Sequence, residues 1–236
     1  AYWNYEDNMK FMKEMITYIL GKLYDGNLNI QIGDKVIDFG GEWPVVSFRE
    51  LILKDCGIDI DKFETAESLL AEIRSQKIDL DAENIESLGR GNLIDQLYKK
   101  VSRPSIIEPT FLIKHPIDLS PLARSNDENP NLTDRFQLIV NGQEIINGYS
   151  ELVDAREQER RLIKQSELKA KGDEEAMSID KEYIRAMEYG MPPISGWGLG
   201  VDRFLQFLTS SQNIRDVVLY PLMRPRDWAN ESDDEE

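Results

Sequence analysis

Two stretches of this chain carry residue types and spacings suited to chemistry. The first is Arg135 to Asp154, RFQLIVNGQEIINGYSELVD. A strand that only covers a core seldom carries two carboxylates, an amide and an aromatic within eight residues, as Glu144, Asn147, Tyr149 and Glu151 do here. An edge hairpin with a solvated polar face is the plainer alternative. The second stretch is Gly196-Trp197-Gly198-Leu199-Gly200-Val201-Asp202-Arg203. Its glycines let a backbone run close to a flat ligand, and the apolar spacing that follows is helical. Arg203 then falls in the first helical turn, where a guanidinium beside free N–H groups suits a phosphate. Pairing of Arg203 with a local acid is the competing reading. The run is neither a Walker loop nor a true GxGxxG. The single His115, next to Pro116, reads as a hydrogen-bonded loop histidine rather than a general base.

The first stretch has a definite geometry. Asn141-Gly142 between two apolar runs is a type I′ hairpin signal, because both residues tolerate positive φ. With a two-residue turn, Val140 faces Gln143 and Ile139 faces Glu144. Alternation then puts Gln137, Ile139, Glu144 and Ile146 on one face. Glu151 lies an odd number of residues from Glu144, so a bulge or bend, expected at Gly148, is needed to bring the two together.

The remaining elements must position these groups. Residues 5–24 have apolar side chains at helical spacing, and no cap is evident ahead of them. Residues 29–39 read as a small hairpin around Gly33-Asp34. Helices are expected from Ser47, as a cap, to Lys54, from Thr65 to about Gln76, and over 84–101 with an interruption at Gly89-Arg90-Gly91. The region 60–103 is charged, amphipathic and insertion-like. Glu108 to Ile113 reads as a strand. Asp154 to Lys171 is a charged helix with a solvated face, broken by Gly172. Asp180 to Tyr189 is another helix, with Gly190 ending it. Asn213 to Pro221 reads as a closing strand, and Pro225 as the end of the fold.

Composition narrows the function classes. At 236 residues and 41% hydrophobic content, with a mean hydropathy of -0.47, the chain is of globular type. No apolar run approaches the ~20 residues of a membrane helix. One cysteine excludes an internal disulfide framework and fits a reducing cytoplasm. One histidine argues against a His-rich metal site or a Ser-His triad. The net charge of -16 makes bulk phosphate binding unfavourable, so any nucleic-acid contact must be local. Residues 228–236 are an acidic tail.

Several motifs in register carry a resemblance. Glu108-Pro109-Thr110-Phe111, His115-Pro116 with Ser120-Pro121-Leu122-Ala123, Asn147-Gly148-Tyr149-Ser150-Glu151-Leu152, residues 172–177, and GWGLGVDR through IRDVVLYP together resemble the class II lysyl-tRNA synthetases, from Ala1 to about Pro225. The resemblance implies an α+β fold, a class II aminoacyl-tRNA synthetase-like antiparallel sheet flanked by helices. That fold is incomplete here, because motifs 1 and 2 and the anticodon-binding domain would precede Ala1. Residues 1–227 would be the C-terminal portion of the catalytic domain, with 60–103 as a helical insertion.

The resemblance also implies roles. ATP and Mg²⁺ are the implied cofactors, with lysine and tRNA(Lys) as partners, no membrane, and a homodimer for the full-length enzyme. GWGLGVDR resembles motif 3, which assigns Arg203, with Gly200, to the ATP phosphates. Glu144 is the implied ATP and metal ligand. Its family partner acid falls at Gln137, a neutral amide with one carbonyl oxygen. The implied lysine-recognition residues are Asn147, Tyr149 and Glu151. Aspartyl and asparaginyl relatives carry an arginine where Glu151 stands, and the sign of that charge selects the substrate. Val153 stands where relatives usually have Asn.

The implied activity is ATP-dependent lysine–tRNA ligation, with this piece, lacking the motif 2 arginine, expected to be inactive alone. A class II protein lysyltransferase and a non-catalytic lysine- or nucleotide-binding paralogue are the alternatives.

Overall fold

A computed structural model describes residues 1–81, 84–174, 176–211 and 213–221. They fall into two compact units, Ala1–Leu199 and one that begins at Gly200. Pro225 and the acidic run 228–236 lie outside the described residues.

The first unit opens with helix α1 (Tyr5–Leu23), whose Asn8, Met12, Ile16 and Leu20 form the buried stripe that the i, i+4 spacing implies. The helix does have a cap, contrary to expectation. Asn4 Oδ1 accepts from Asp7 N at 2.9 Å, and Asp7 Oδ2 accepts from Asn4 N at 3.0 Å. This Asn/Asp pairing performs the capping-box exchange usually written with Ser or Thr and Glu, and is worth about 1 kcal/mol. Strands β1 (Asn29–Ile32) and β2 (Lys35–Asp38) pair as the small hairpin.

Next come β3 (Val45–Ser47), α2 (Phe48–Cys56), α3 (Ala66–Ser75) and α4 (Arg90–Val101). Ser47 occupies the cap position of α2 but makes no side-chain cap bond. Thr65 does cap α3, exchanging bonds with Ser68. The 84–101 stretch divides as its glycines suggest: a short 3-10 turn over Ile85–Ser87, then α4 with Gly89 at its cap. Phe48, Ile52, Leu69, Ile73, Leu93 and Leu97 build a core that also takes in Leu112 and Ile139 of the sheet.

The sheet continues with β4 (Thr110–Pro116), β5 (Leu132–Val140), β6 (Gln143–Ser150) and, after α5 (Ala155–Ala170) and α6 (Lys181–Glu188), β7 (Ser195–Leu199). Its order is β3-β4-β5-β6-β7, antiparallel except for the β3–β4 pair. The resemblance implied such an antiparallel sheet flanked by helices. α5 is less solvated than its composition suggests. Arg161 is buried, paired with Glu157 at 2.8 Å, and donates to Ala123 O at 2.7 Å. Gln158, also buried, donates to Pro121 O. The break after α5 is likewise anchored: buried Asp173 accepts from Gly89 N at 2.9 Å and from Asn92 Nδ2, which ties it to the positive end of α4.

In the second unit, α7 (Val201–Thr209) starts from Gly200. The expected strand over 213–221 is instead a 3-10 turn at Ile214–Asp216, because Asn213 Oδ1 accepts from Arg215 N and starts a turn. Leu219 and Tyr220 beyond it are almost fully exposed.

Gly148 shows why one glycine is indispensable. A Cβ there would lie 2.6 Å from Phe136 Cε1 and 2.7 Å from Gly196 O, whereas one on Gly198 meets nothing within 4 Å. Gly148→Ala is expected to destabilise the chain by about 3 kcal/mol, through overpacking against a buried ring and backbone. Gly198→Ala should stay within about 0.5 kcal/mol. Urea denaturation of the two variants checks the contrast.

Candidate functional site on the sheet face

The β5–β6 hairpin closes as its sequence dictates, with Val140 opposite Gln143 and Ile139 opposite Glu144, and with Asn141 and Gly142 both at positive φ. The next pair is Leu138 with Ile146, so Ile145 is an extra residue on β6. The parity change thus occurs at Ile145 and not at Gly148. Ile146 moves to the opposite face with Leu138. Asn147 pairs with Gln137 and Tyr149 with Arg135. Exposure follows suit: Glu144, Asn147, Tyr149 and Glu151 are half-buried, while Ile145, Ile146, Gly148 and Ser150 are buried. One bulge therefore gathers the four predicted β6 side chains onto a common face with Gln137 and Arg135.

His115 is no loop residue. It sits near the end of β4, buried, after a register shift at Lys114, whose φ is 57°. Its Nε2 lies 3.1 Å from Gln137 Oε1, and Gln137 Nε2 donates to Glu144 Oε2. With the amide presenting Nε2 to the carboxylate, its Oε1 can only accept, so His115 carries its proton on Nε2. Burial, helped by the nearby Arg135 charge, holds the imidazole well below its usual pKa.

Arg135 lies on the same face and is not singled out by the motifs. Burial lowers its pKa, with Glu144 acting in the opposite sense. Its Nε donates to Asn147 Oδ1 at 2.9 Å, and its Nη1 donates to Leu119 O and Ser120 Oγ at 3.0 and 2.9 Å. Because Asn147 Oδ1 is occupied, the amide turns its Nδ2 donors the other way. The available signal was parity: Arg135 lies two residues from Gln137 on the same strand.

Glu151 is held by its backbone. Its N–H donates to Ile194 O at 2.9 Å, and on the other side it bridges Ala123. Arg161, from α5, fixes that Ala123 carbonyl. Among the described residues no Lys or Arg pairs with the Glu151 carboxylate, and burial raises its pKa. The phenols of Tyr149 and of Tyr183, on α6, are raised first by burial and then by the Glu151 charge. Tyr183 is a second residue the motifs did not flag. A Cβ on Gly196 would lie 4.0 Å from Glu151 Oε1. The result is a carboxylate within electrostatic reach of two phenols and beside bare backbone, with no Lys or Arg partner among the described residues.

In the second unit, Arg203 occupies the first turn of α7, exposed, with Gly200 at the cap. This is the placement its motif implied.

A divalent cation shared between acids at 137 and 144 does not fit this donor set. Gln137 is an amide whose N–H already serves Glu144. Among the described residues, no group of three or more His, Cys, Asp or Glu is arranged to hold a metal. Nor is any of their helices long and apolar enough to cross a membrane.

The family described as tRNA synthetases class II (D, K and N) matches residues 1–224, and the chain belongs to it. Among curated proteins it is 39% identical over 231 residues to a lysine–tRNA ligase of Thermosipho africanus, covering 98% of this chain and 44% of that protein. It is 42% identical over 227 residues to the lysine–tRNA ligase of Fervidobacterium nodosum, covering 95% and 43%. For that of Aquifex aeolicus the values are 38% over 225 residues, 95% and 37%. The chain spans less than half the length of these relatives.

The raised pKa of Glu151 has a consequence for stability. A carboxyl whose folded pKa lies above its unfolded value, near 4.3, contributes fully below that value and loses its contribution as pH rises through the folded pKa. Glu151→Gln should therefore be more stable than the parent at pH 7, with the gap closing towards pH 4. Denaturant titrations at the two pH values read this directly.

Proposed function

We propose that this chain is part of the catalytic domain of a lysine–tRNA ligase. Residues 1–227 would form the C-terminal portion of that domain, with 60–103 as its helical insertion. The observation that carries the reading is the half-buried Glu151, which has no cation partner among the described residues. An ammonium of a lysine side chain supplies the missing charge. A substrate carboxylate, as in the aspartate branch of the family, would be repelled there. Tyr149 and Tyr183 would flank the aliphatic stem. Asn147, its carbonyl held by Arg135, would offer its N–H donors to the lysine carboxylate or to a phosphate.

The proposed chemistry has two steps. A lysine carboxylate oxygen attacks the α-phosphorus of ATP, forming lysyl-adenylate as the bond to pyrophosphate breaks. The terminal hydroxyl of tRNA(Lys) then attacks the lysyl carbonyl, and AMP leaves. This chain contributes no nucleophile. Its residues would act by orientation and charge. Glu151, Tyr149 and Asn147 would fix lysine, while Arg203 and Gly200 at the start of α7 would meet the ATP phosphates. Glu144 is the carboxylate that remains of the family's acid pair, on the nucleotide side. ATP would arrive as its magnesium complex.

Calorimetry tests the assignment. Removing one charged partner costs about 1.5–3 kcal/mol, so Glu151→Gln should weaken lysine binding roughly 10- to 100-fold. ATP affinity should be unchanged. Lysine binding by the parent should also weaken as pH falls through the raised Glu151 pKa, and the variant should lack that dependence. Equal loss of lysine and ATP would overturn the reading.

A further inference from the structure

We propose that Gln137 is a positioning residue standing where a cation ligand would be: its amide donor, oriented by His115, occupies Glu144 Oε2, so that the β5–β6 site takes no divalent cation of its own. This rests on the same site as the lysine reading but concerns a different property, and it can be tested without either substrate.

The argument begins with burial. Gln137 is 6% exposed and His115 1%, so neither can exchange its partner for bulk water. The amide has two orientations. In the one observed, Oε1 accepts from His115 and Nε2 donates to Glu144. Reversal would set the amide oxygen against a carboxylate oxygen, losing one charge-assisted hydrogen bond and adding a repulsion. The imidazole's other nitrogen, Nδ1, is buried without a hydrogen-bond partner among the described residues.

Charge leads to the same conclusion. A carboxylate at 137 would lie within hydrogen-bond distance of Glu144, and two like charges that close need a cation or a shared proton. The amide removes that requirement. Arg135, on the same face and within electrostatic reach of Glu144, already supplies positive charge. A cation arriving at Glu144 would share that carboxylate with the Gln137 N–H and would find at position 137 only one neutral oxygen, which already faces His115.

Mn²⁺ is the probe. Uptake by the 236-residue chain is followed by loss of the free-ion electron paramagnetic resonance signal, beside thermal unfolding with and without MnCl₂. The parent and Glu144→Gln should take up the same number of ions, those held by the acidic surface. Gln137→Glu should take up about one more per chain, a gain lost in the double variant with Glu144→Gln. Its unfolding midpoint should rise with Mn²⁺ concentration relative to the parent. An extra ion in the parent that Glu144→Gln abolishes would overturn the proposal. So would a folded Gln137→Glu variant that gains none. Should that variant not fold, the comparison of the parent with Glu144→Gln decides alone. Failure of lysine to bind would leave these outcomes unaffected, and an ion found in the parent would leave the lysine measurement unaffected.

Discussion

An unpaired residue inserted into one strand of a hairpin reverses, for everything beyond it, which side chains face which way. In this chain that residue is Ile145. Without it Asn147, Tyr149 and Glu151 would point to the face opposite Glu144. A single inserted residue thus decides whether the polar side chains of β6 form a site or are scattered over two surfaces. A similar device acts on β4, where the irregularity at Lys114 brings His115 to Gln137. Both irregularities are surrounded by ordinary ladder pairing, which holds them in place.

The electrostatics of this face follow from what is left unpaired. Arg135 binds an amide and two neutral oxygens rather than a carboxylate. Glu151 acts on two phenols, with no base paired to it among the described residues. Arg135 is committed to Asn147 and the 119–120 turn. Among the described residues, each charge is thus held by neutral groups.

Much of this was legible in the residues. Asn141-Gly142 announced the turn and its first two pairs, and the i, i+4 spacing of Met12, Ile16 and Leu20 announced α1. The identities of the polar residues on β6 were enough to single them out. The site of the bulge was not legible, because Gly148 is the residue type that usually marks one. Here that glycine serves close packing against Phe136 instead. His115 was misread because its neighbour Pro116 suggests a loop, whereas that proline ends a strand. The buried roles of Arg161 and Asp173 were hidden for a different reason. Both sit in highly charged segments, and only tertiary contact tells which charge turns inward.

The parallel pair β3–β4 joins Val45 to Phe111, so the whole run from α2 through α4 is one crossover leaving and rejoining the sheet at its edge. β5 and β6 lie further in and do not depend on how long that detour is. Doubling a flexible connection costs only about 0.6 kcal/mol in closure entropy. That detour is nonetheless not loose: Leu80 lies in its core, with Ile78, Ile85 and Leu88 packed against it, and Asp173 fastens the start of α4, so a change of length there must respect both anchorages while leaving the β5–β6 register untouched.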